Sequence, residues 1–362
     1  MKKILIIGST GKLGSKLINF CLKNKIKISA ITCYRNKKKI IKQSKLLKSI
    51  KFSLSDPNEK NKFIKYISSE KFDLIYFLDC GVSSLYYFNF ILKNKTKTIF
   101  AIANKELLIA GGSFLINLIK KHNKKLIPLD SEHYSLINSN ISNENIEKIY
   151  ITASGGPFYF KPNIDLNKVS LKEVLKHPKW SMGINNSIDS SNFINKILEI
   201  YELSSIYQID LNKISFLVSK NAFIHSVVYF KNNITSINCF NNDMIITLIY
   251  PLSFFFKLDF LKNNNSLLFN HQNMILEKFN DKRFKINKYF NALKTFNHHQ
   301  QIQFMILNNL AQKYYLSKNL RYNNIIPFIM KNINLEIRSK SFKSIDEILA
   351  YINFLLKKYE LN

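Results

Sequence analysis

Short apolar runs alternate with amphipathic stretches through the first third of the chain. The runs lie at residues 3–7, 26–33, 72–78 and 97–102, and another apolar approach leads into PLDSEH at residues 128–133. Such runs are typical of buried strands in a parallel sheet, and the stretch after the first run has the pattern of an amphipathic helix. The pattern therefore predicts an α/β fold that begins with a Rossmann-like domain.

The later part of the chain has a different pattern. From about residue 270, Asn-rich turns alternate with apolar helical patterns such as residues 345–359. We predict a nucleotide-binding domain at 1–130, a central α+β catalytic and connective domain at 131–265, a linker at 266–285 and a small helical domain at 286–362.

Composition adds few constraints on function. The chain has 54 Lys and Arg against 24 Asp and Glu, a formal charge of +30, and 46% hydrophobic residues. A basic excess is typical of nucleic-acid binding, but here the bases are spread along the whole chain, so we expect no nucleic-acid partner. The start of the chain shows no signal segment, and the apolar run at 244–256 is too short to span a bilayer. We expect a soluble cytoplasmic protein with no membrane contact.

A glycine turn follows the first predicted strand. Gly8, Gly11 and Gly14 stand in the sequence GSTGKLG between a strand and a helix, in a chain with only nine glycines. Glycines in this context let the backbone approach a pyrophosphate, and the following helix offers amide donors to it. Lys12 adds a positive charge, so the turn predicts a dinucleotide site.

The second strand indicates which dinucleotide is bound. A carboxylate at its end favours NAD, but the first acidic residue of the chain comes only at position 56. Arg35 stands there instead, placed to meet a 2′-phosphate. The sequence therefore favours NADPH.

Polar residues follow two further strands. Asn104, Lys105 and Glu106 come after the run at 97–102, and Asp130 and Glu132 follow the next strand. Strand ends of an open α/β sheet are where ligands bind. If PLDSEH is extended, the two carboxylates point the same way and need a cation or a proton between them.

The middle third supplies further candidates. Ser154 precedes a glycine pair that suits an anion, and residues 177–199 contain the only tryptophan in a segment that suits a lid. A helical pattern from Ser190 places Asn195, Lys196 and Glu199 near one face, although the spacing of Lys196 and Glu199 also fits a surface ion pair. A set of three carboxylates, Asp130, Glu132 and Glu199, suits Mg²⁺ or Mn²⁺.

Together these motifs resemble the 1-deoxy-D-xylulose 5-phosphate reductoisomerase family. They are GSTGKLG, ANKELL, LDSEH, TASGGPF and HPKWSMG followed by IDSSNFINKILE, in the family's order. The resemblance covers residues 1–255 most clearly. It implies an NADPH-dependent oxidoreductase of isoprenoid biosynthesis that rearranges 1-deoxy-D-xylulose 5-phosphate on a divalent metal, by retro-aldol and aldol steps, and then reduces it to 2-C-methyl-D-erythritol 4-phosphate. Family members are usually homodimers.

The resemblance also implies roles for individual positions. The NADPH contacts are Thr10, Gly11, Lys12, Leu13, Arg35, Asn36, Asn104, Glu106 and Gly183. The substrate contacts are Lys105, Ser131, Ser154, His177, Ser190, Asn195 and Lys196, and the lid carries Trp180 and Met182. The metal ligands are Asp130, Glu132 and Glu199.

Several positions depart from the family pattern. Lys12 stands where a serine is usual, and Tyr34 replaces the glycine before the Arg-Asn pair. Asp79 and Cys80 lie in a turn that is usually small and apolar. Two alternatives remain open from the residues: another NADPH-dependent reductase of a phosphorylated sugar-like substrate, and a basic binding protein with a vestigial site.

Overall fold

The protein is described here by a computed structural model that covers residues 2–94, 96–176, 183–258, 275–337 and 341–360. Packing divides the described residues into two units. Unit 1 holds those within 1–137, 241–267 and 344–346, and unit 2 holds those within 138–240, 268–343 and 347–362.

Unit 1 is built on a parallel sheet of six strands. The strands are β1 (Ile4–Ile7), β2 (Ala30–Cys33), β3 (Ile50–Ser53), β4 (Leu74–Phe77), β5 (Ile99–Ile102) and β6 (Lys125–Pro128). Their order is β3-β2-β1-β4-β5-β6, and each neighbouring pair is parallel. This is the order of a doubly wound dinucleotide-binding fold, so the predicted α/β class and Rossmann-like start are confirmed.

The helices of unit 1 connect these strands and cover the sheet. They are α1 (Lys12–Lys23), α2 (Lys37–Leu47), α3 (Pro57–Ser69), α4 (Phe88–Ile91), α5 (Lys105–Lys121) and α6 (Ser131–Tyr134). Every residue of β1, β2, β4 and β5 is buried. Strands that are covered on both faces carry apolar side chains at successive positions, which explains the uninterrupted runs in the sequence.

One further helix of unit 1 comes from a distant part of the chain. It is α10 (Met244–Ser253), whose Leu248, Ile249 and Leu252 belong to the core under the parallel sheet. The buried Tyr76 hydroxyl of β4 donates to the Leu248 carbonyl at 2.7 Å. The sequence-based boundaries assigned this segment to the central domain, whereas its side chains pack in unit 1.

Unit 2 contains a mixed sheet. Its strands are β7 (Ile146–Ala153), β8 (Ile214–Val218), β9 (Ile224–Phe230), β10 (Thr235–Cys239) and β11 (Glu277–Lys278), in the order β10-β9-β7-β8-β11. β7 and β8 are parallel, since a helical segment connects them, and the other pairs are antiparallel. The connecting helices are α7 (Leu171–Val174), α8 (Ile184–Ser191) and α9 (Ile194–Tyr207).

The last part of the chain is helical, as its pattern predicted. It forms α11 (Ile286–Leu293), α12 (His298–Leu316), α13 (Ile325–Asn332) and α14 (Ile345–Glu360). A reciprocal capping box between Asn297 and Gln300 fixes the start of α12. Among the described residues, no helix combines the length and the apolar content that crossing a membrane requires.

Candidate active site

The glycine turn after β1 forms as the sequence predicted. Gly8 has φ +86°, and a Cβ there would lie 2.5 Å from the backbone nitrogen of Asp79. A Cβ on Gly14 would lie 2.4 Å from the Gly8 carbonyl oxygen. Gly11 is the N-cap of α1 and has no side chain to cover the first amides of the helix. Gly11 and Lys12 are exposed, and Thr10 and Leu13 are half-buried, so the turn suits a ligand phosphate.

Two more predicted cofactor residues, Arg35 and Asn36, follow the end of β2, and Tyr34 precedes them. Tyr34 is 62% exposed, and the Arg35 guanidinium lies 5.3 Å from the centre of its ring. Asn36 is the N-cap of α2 and accepts from the Lys39 amide at 3.1 Å. The Lys39 ammonium donates to the Thr10 carbonyl at 2.9 Å. Lys39, which the sequence analysis did not single out, therefore brings a second cation to the glycine turn.

Asn104 is buried and fully engaged at the end of β5. Its Oδ1 accepts from the Leu107 amide at 3.0 Å, so it caps α5. Its Nδ2 donates to the Gly81 carbonyl at 2.8 Å and to Asp79 Oδ1 at 3.3 Å. The side chain therefore ties the turn after β4 to the start of α5. Glu106 lies in the first turn of that helix and is half-buried.

Asp79 and Cys80 have unusual acidities in this turn. Burial raises the pKa of Asp79 from 3.8 to about 6, against hydrogen bonds from Ser84 and Asn104 that lower it. Although Cys80 as a whole is exposed, desolvation of its thiol by the surrounding turn, with the nearby charges of Glu106 and Asp79, raises the thiol pKa to about 11. Cys80 is thus a neutral thiol at physiological pH, and Asp79 is a carboxylate held in an unfavourable environment.

The LDSEH stretch forms a helical turn, so the extended conformation considered from the sequence is not adopted. Asp130 is the N-cap of α6, because its Oδ1 accepts from the Glu132 amide at 3.3 Å. Asp130 Oδ2 accepts from the Lys105 ammonium at 3.1 Å. The ring nitrogen Nδ1 of the fully buried His133 lies 3.8 Å from Asp130 Oδ1, and Ser131 Oγ hydrogen-bonds to Glu132. Within unit 1, Lys105 supplies a cation for the carboxylates.

Unit 2 brings the SGGPF residues against the end of α8. Ser154 follows β7 directly, and Gly155 and Gly156 have φ values of +85° and +59°. A Cβ on Gly156 would lie 3.0 Å from the carbonyl oxygen of Ser190. Ser190, a predicted substrate contact, is half-buried beside it. The structure therefore places Gly156, two positions after Ser154, against the backbone of the predicted substrate residue Ser190.

The Asn195, Lys196 and Glu199 group forms on α9. The Lys196 ammonium donates to Glu199 Oε2 at 2.6 Å, and the Asn195 amide donates to Glu199 Oε1. Lys196 is 7% and Glu199 2% exposed, so the alternative of a surface ion pair is wrong. The buried Glu202 lies one turn further along the same helix, and sequence reasoning missed it. Its only sequence signal is the spacing of three from Glu199.

A buried carboxylate in α8 was also missed. Asp189 accepts from the Asn308 amide at 3.0 Å through both of its oxygens, and from the Gln312 amide of the same helix α12. These bonds fix the segment that presents Ser190. The sequence shows the acid beside Ser190 but not the two amides more than a hundred positions away.

The remaining predicted residues belong to the segment around the only tryptophan. His177, Trp180 and Met182 lie outside the described residues. Gly183 is the exposed N-cap of α8.

Comparison with known proteins agrees with these motifs. A family model described as 1-deoxy-D-xylulose 5-phosphate reductoisomerase C-terminal domain matches residues 126–207. A 1-deoxy-D-xylulose 5-phosphate reductoisomerase of Pelagibacter ubique (strain HTCC1062) is 33% identical over 380 aligned positions, which cover 96% of each chain.

Two solved structures share the fold. The reductoisomerase of Zymomonas mobilis in complex with NADPH has a TM-score of 0.80 at 21% identity, over 99% of this chain and 98% of that chain. A DOX-P reductoisomerase in complex with NADPH, fosmidomycin and magnesium has a TM-score of 0.84 at 21% identity, over 99% of this chain and 96% of that chain.

Proposed function

The chain belongs to the 1-deoxy-D-xylulose 5-phosphate reductoisomerase family, and we propose that it catalyses the reaction of that family. The reaction is the NADPH- and divalent-metal-dependent isomerisation and reduction of 1-deoxy-D-xylulose 5-phosphate to 2-C-methyl-D-erythritol 4-phosphate, in isoprenoid biosynthesis. The observation that carries the proposal is the 33% identity over 96% of the chain. The alternative of another NADPH-dependent reductase loses its basis, because the similarity spans almost the entire chain. The alternative of a vestigial site is decided by the turnover test below.

NADPH fits unit 1. The glycine turn has no room for a Cβ at Gly8, and the N-cap residue Gly11 of α1 makes no side-chain capping hydrogen bond, as suits a phosphate at the helix start. We propose that Thr10, Gly11, Lys12 and Leu13 line the pyrophosphate and that Arg35 and Asn36 bind the 2′-phosphate side. Asn104, Glu106 and Gly183 are proposed for the nicotinamide half. Asn104 acts there by fixing the strand-end turn, since its polar atoms already have partners.

The residues proposed for the metal also fit. Asp130, Glu132 and Glu199 offer oxygen ligands, which Mg²⁺ and Mn²⁺ prefer. Lys105 donates to Asp130 in unit 1 and Lys196 donates to Glu199 in unit 2, so that each of these two carboxylates is held in one orientation. When bound, the metal supplies Lewis-acid polarisation of the substrate carbonyl.

The chain's own residues bind and orient the substrate. We propose that Ser154, Ser190, Asn195 and Lys196 hold its phosphate and hydroxyl groups, together with Ser131 and His177, while Trp180 and Met182 close over it. Lys105 is 14% exposed in its side chain, and its ammonium is placed to balance charge beside Asp130. Binding the phosphate far from the reacting carbons orients those carbons without taking part in bond breaking.

The test is turnover of 1-deoxy-D-xylulose 5-phosphate, followed by the loss of NADPH absorbance with Mn²⁺ present. We expect Glu199→Gln to lower the metal-dependent rate by about 100-fold or more while NADPH binding stays intact. The exposed Glu336→Gln is the matched control. A Glu199→Gln rate within a few-fold of wild type would exclude Glu199 as a ligand. A folded, NADPH-binding wild type without turnover would refute the proposed reaction.

We further propose that the protein is a cytoplasmic homodimer that acts on a small phosphorylated sugar and binds neither nucleic acid nor membranes. The proposal rests on family membership and on basic residues that are dispersed along the sequence. Light scattering on the purified protein measures the dimer directly. A monomer at micromolar concentration would contradict it.

A further inference from the structure

The Arg283 guanidinium donates hydrogen bonds to four backbone carbonyls in unit 2. Its Nη1 donates to the carbonyls of Lys161 and Pro162 at 2.7 and 3.2 Å. Its Nη2 donates to those of Phe158 and Tyr159 at 3.4 and 3.2 Å. The guanidinium therefore connects four carbonyls of residues 158–162, a segment more than 120 positions earlier in the chain.

The remaining donors of Arg283 are held by a carboxylate. Nε donates to both oxygens of Asp281 at 3.1 and 3.0 Å, and Nη2 donates to Asp281 Oδ2 at 2.6 Å. All five N–H donors of an arginine thus have partners, and the fork is fixed in one plane. The pair is partly buried, with side-chain exposures of 25% and 19% for Arg283 and Asp281.

The segment that Arg283 holds continues directly from Ser154. The Tyr159 amide donates to the Gly155 carbonyl at 3.2 Å and closes a turn between them. A Cβ on Gly155 would lie 2.6 Å from the Phe160 ring, so the glycine is covered by a residue of the held segment. Gly156 in turn packs against the backbone of Ser190. We call residues 154–162 the glycine-pair loop.

Aromatic packing links the same region to the junction of α8 and α9. Phe193 lies there with φ +66°, a left-handed conformation that is unfavourable for a bulky residue. Its ring lies 4.9 Å from that of Phe284, the neighbour of Arg283, and 5.9 Å from that of Tyr159 in the glycine-pair loop. The loop and the junction are therefore fixed against one aromatic cluster, and the junction separates Ser190 from Asn195.

We propose that Arg283 is a positioning residue that holds the glycine-pair loop in the conformation that presents Ser154 and the glycine amides to the substrate phosphate. The substrate named in this inference rests on the proposed function. The hold of Arg283 on the glycine-pair loop, which we call the clamp, rests on geometry alone. Arg283 acts through backbone carbonyls and touches no reacting group. Lysine cannot replace it, because one ammonium has three donors and no planar fork.

Two measurements on the full-length protein test the proposal. The variants are Arg283→Lys, and Asp281→Asn, which keeps the arginine but weakens its orientation. The exposed neighbour Lys282→Ala is the matched control. Hydrogen exchange without substrate reports on the amides of 155–164 and, as a folding control, on those of β7 and β8. Steady-state kinetics report on KM for 1-deoxy-D-xylulose 5-phosphate and, separately, on KM for NADPH.

We expect amides of residues 155–164 to exchange about tenfold faster in both variants, with the strands unchanged. KM for the sugar phosphate should rise about tenfold, and KM for NADPH should change less than about twofold, because its turn lies in unit 1. Unchanged exchange of the loop refutes the clamp. Faster exchange with an unchanged KM for the sugar phosphate refutes its role in substrate positioning. A wild type without turnover refutes the proposed function and this role with it, whereas the exchange result still decides the clamp.

Discussion

Asp79 should lower the stability of this protein above about pH 6. Its carboxylate lies at the end of β4, and burial raises its pKa from 3.8 to about 6 although Ser84 and Asn104 donate to it. A folded-state pKa above the unfolded value means that the folded protein binds the proton more tightly. Stability from this group is therefore full below about pH 4 and is lost as the pH rises through 6.

The magnitude follows from the shift. A difference of about two pKa units corresponds to about 3 kcal/mol, reached above pH 6. At pH 5 the loss is about half of that. Asp79→Asn removes the charge and keeps an oxygen that accepts from Ser84. We expect the variant to be more stable than wild type by up to about 3 kcal/mol at pH 8 and by about half as much at pH 5.

Urea unfolding of wild type and variant at pH 5 and 8 measures this difference. Asp165→Asn is the control, because hydrogen bonds from Asn167 hold the pKa of the exposed Asp165 below 3.8. Its pH dependence therefore has the opposite sign: it removes a group whose charged form is favoured in the folded state. An Asp79→Asn variant that is less stable than wild type at both pH values, or whose gain does not grow with pH, would refute the reasoning.

Two further substitutions test the strand ends of unit 1. Gly8→Ala should weaken NADPH binding by at least about tenfold, because the residue has a positive φ and the new Cβ would lie 2.5 Å from a backbone nitrogen. Isothermal titration calorimetry measures the affinity. The control is Gly11→Ala, whose Cβ would lie 3.5 Å from its nearest atom and which should change the affinity less. Asn104→Ala should lower the free energy of unfolding by about 2–4 kcal/mol, because it removes the cap on the Leu107 amide and leaves buried groups without partners. Thermal unfolding checks the second, and a loss no larger than that of the exposed cap variant Asn36→Ala would contradict it.

The parts of the fold that depend on local sequence were predictable. The turn at Gly8 needs a positive φ and a close backbone contact, and glycine alone meets both, so the motif identified the turn. The buried strands of the parallel sheet were predictable from their apolar runs, because a strand that is covered on both faces needs an apolar side chain at every position.

Features that depend on distant or competing contacts were not predictable. The sequence left open whether LDSEH is extended, and the structure shows that the Asp130 carboxylate caps the Glu132 amide and starts a helix. The spacing of Lys196 and Glu199 fits an exposed pair as well as a buried one, and only the packing around α9 decides between them. In the same way, nothing local to residues 244–253 shows that they complete the core of unit 1.

Acidic residues are few in this basic chain, and several of them have a fixed partner. The chain has 24 acids against 54 bases, and an acid that is buried or partly buried is costly unless a cation or hydrogen-bond donors accompany it. Asp130 is bound by Lys105, Glu199 by Lys196 and Asp281 by Arg283. Asp189 is held by two amides of α12. Each of these partners fixes the orientation of a carboxylate at or beside a proposed ligand-binding position. An excess of lysine in the composition and specific pairing of individual acids are therefore compatible, because removing a partner would leave a buried or partly buried charge uncompensated.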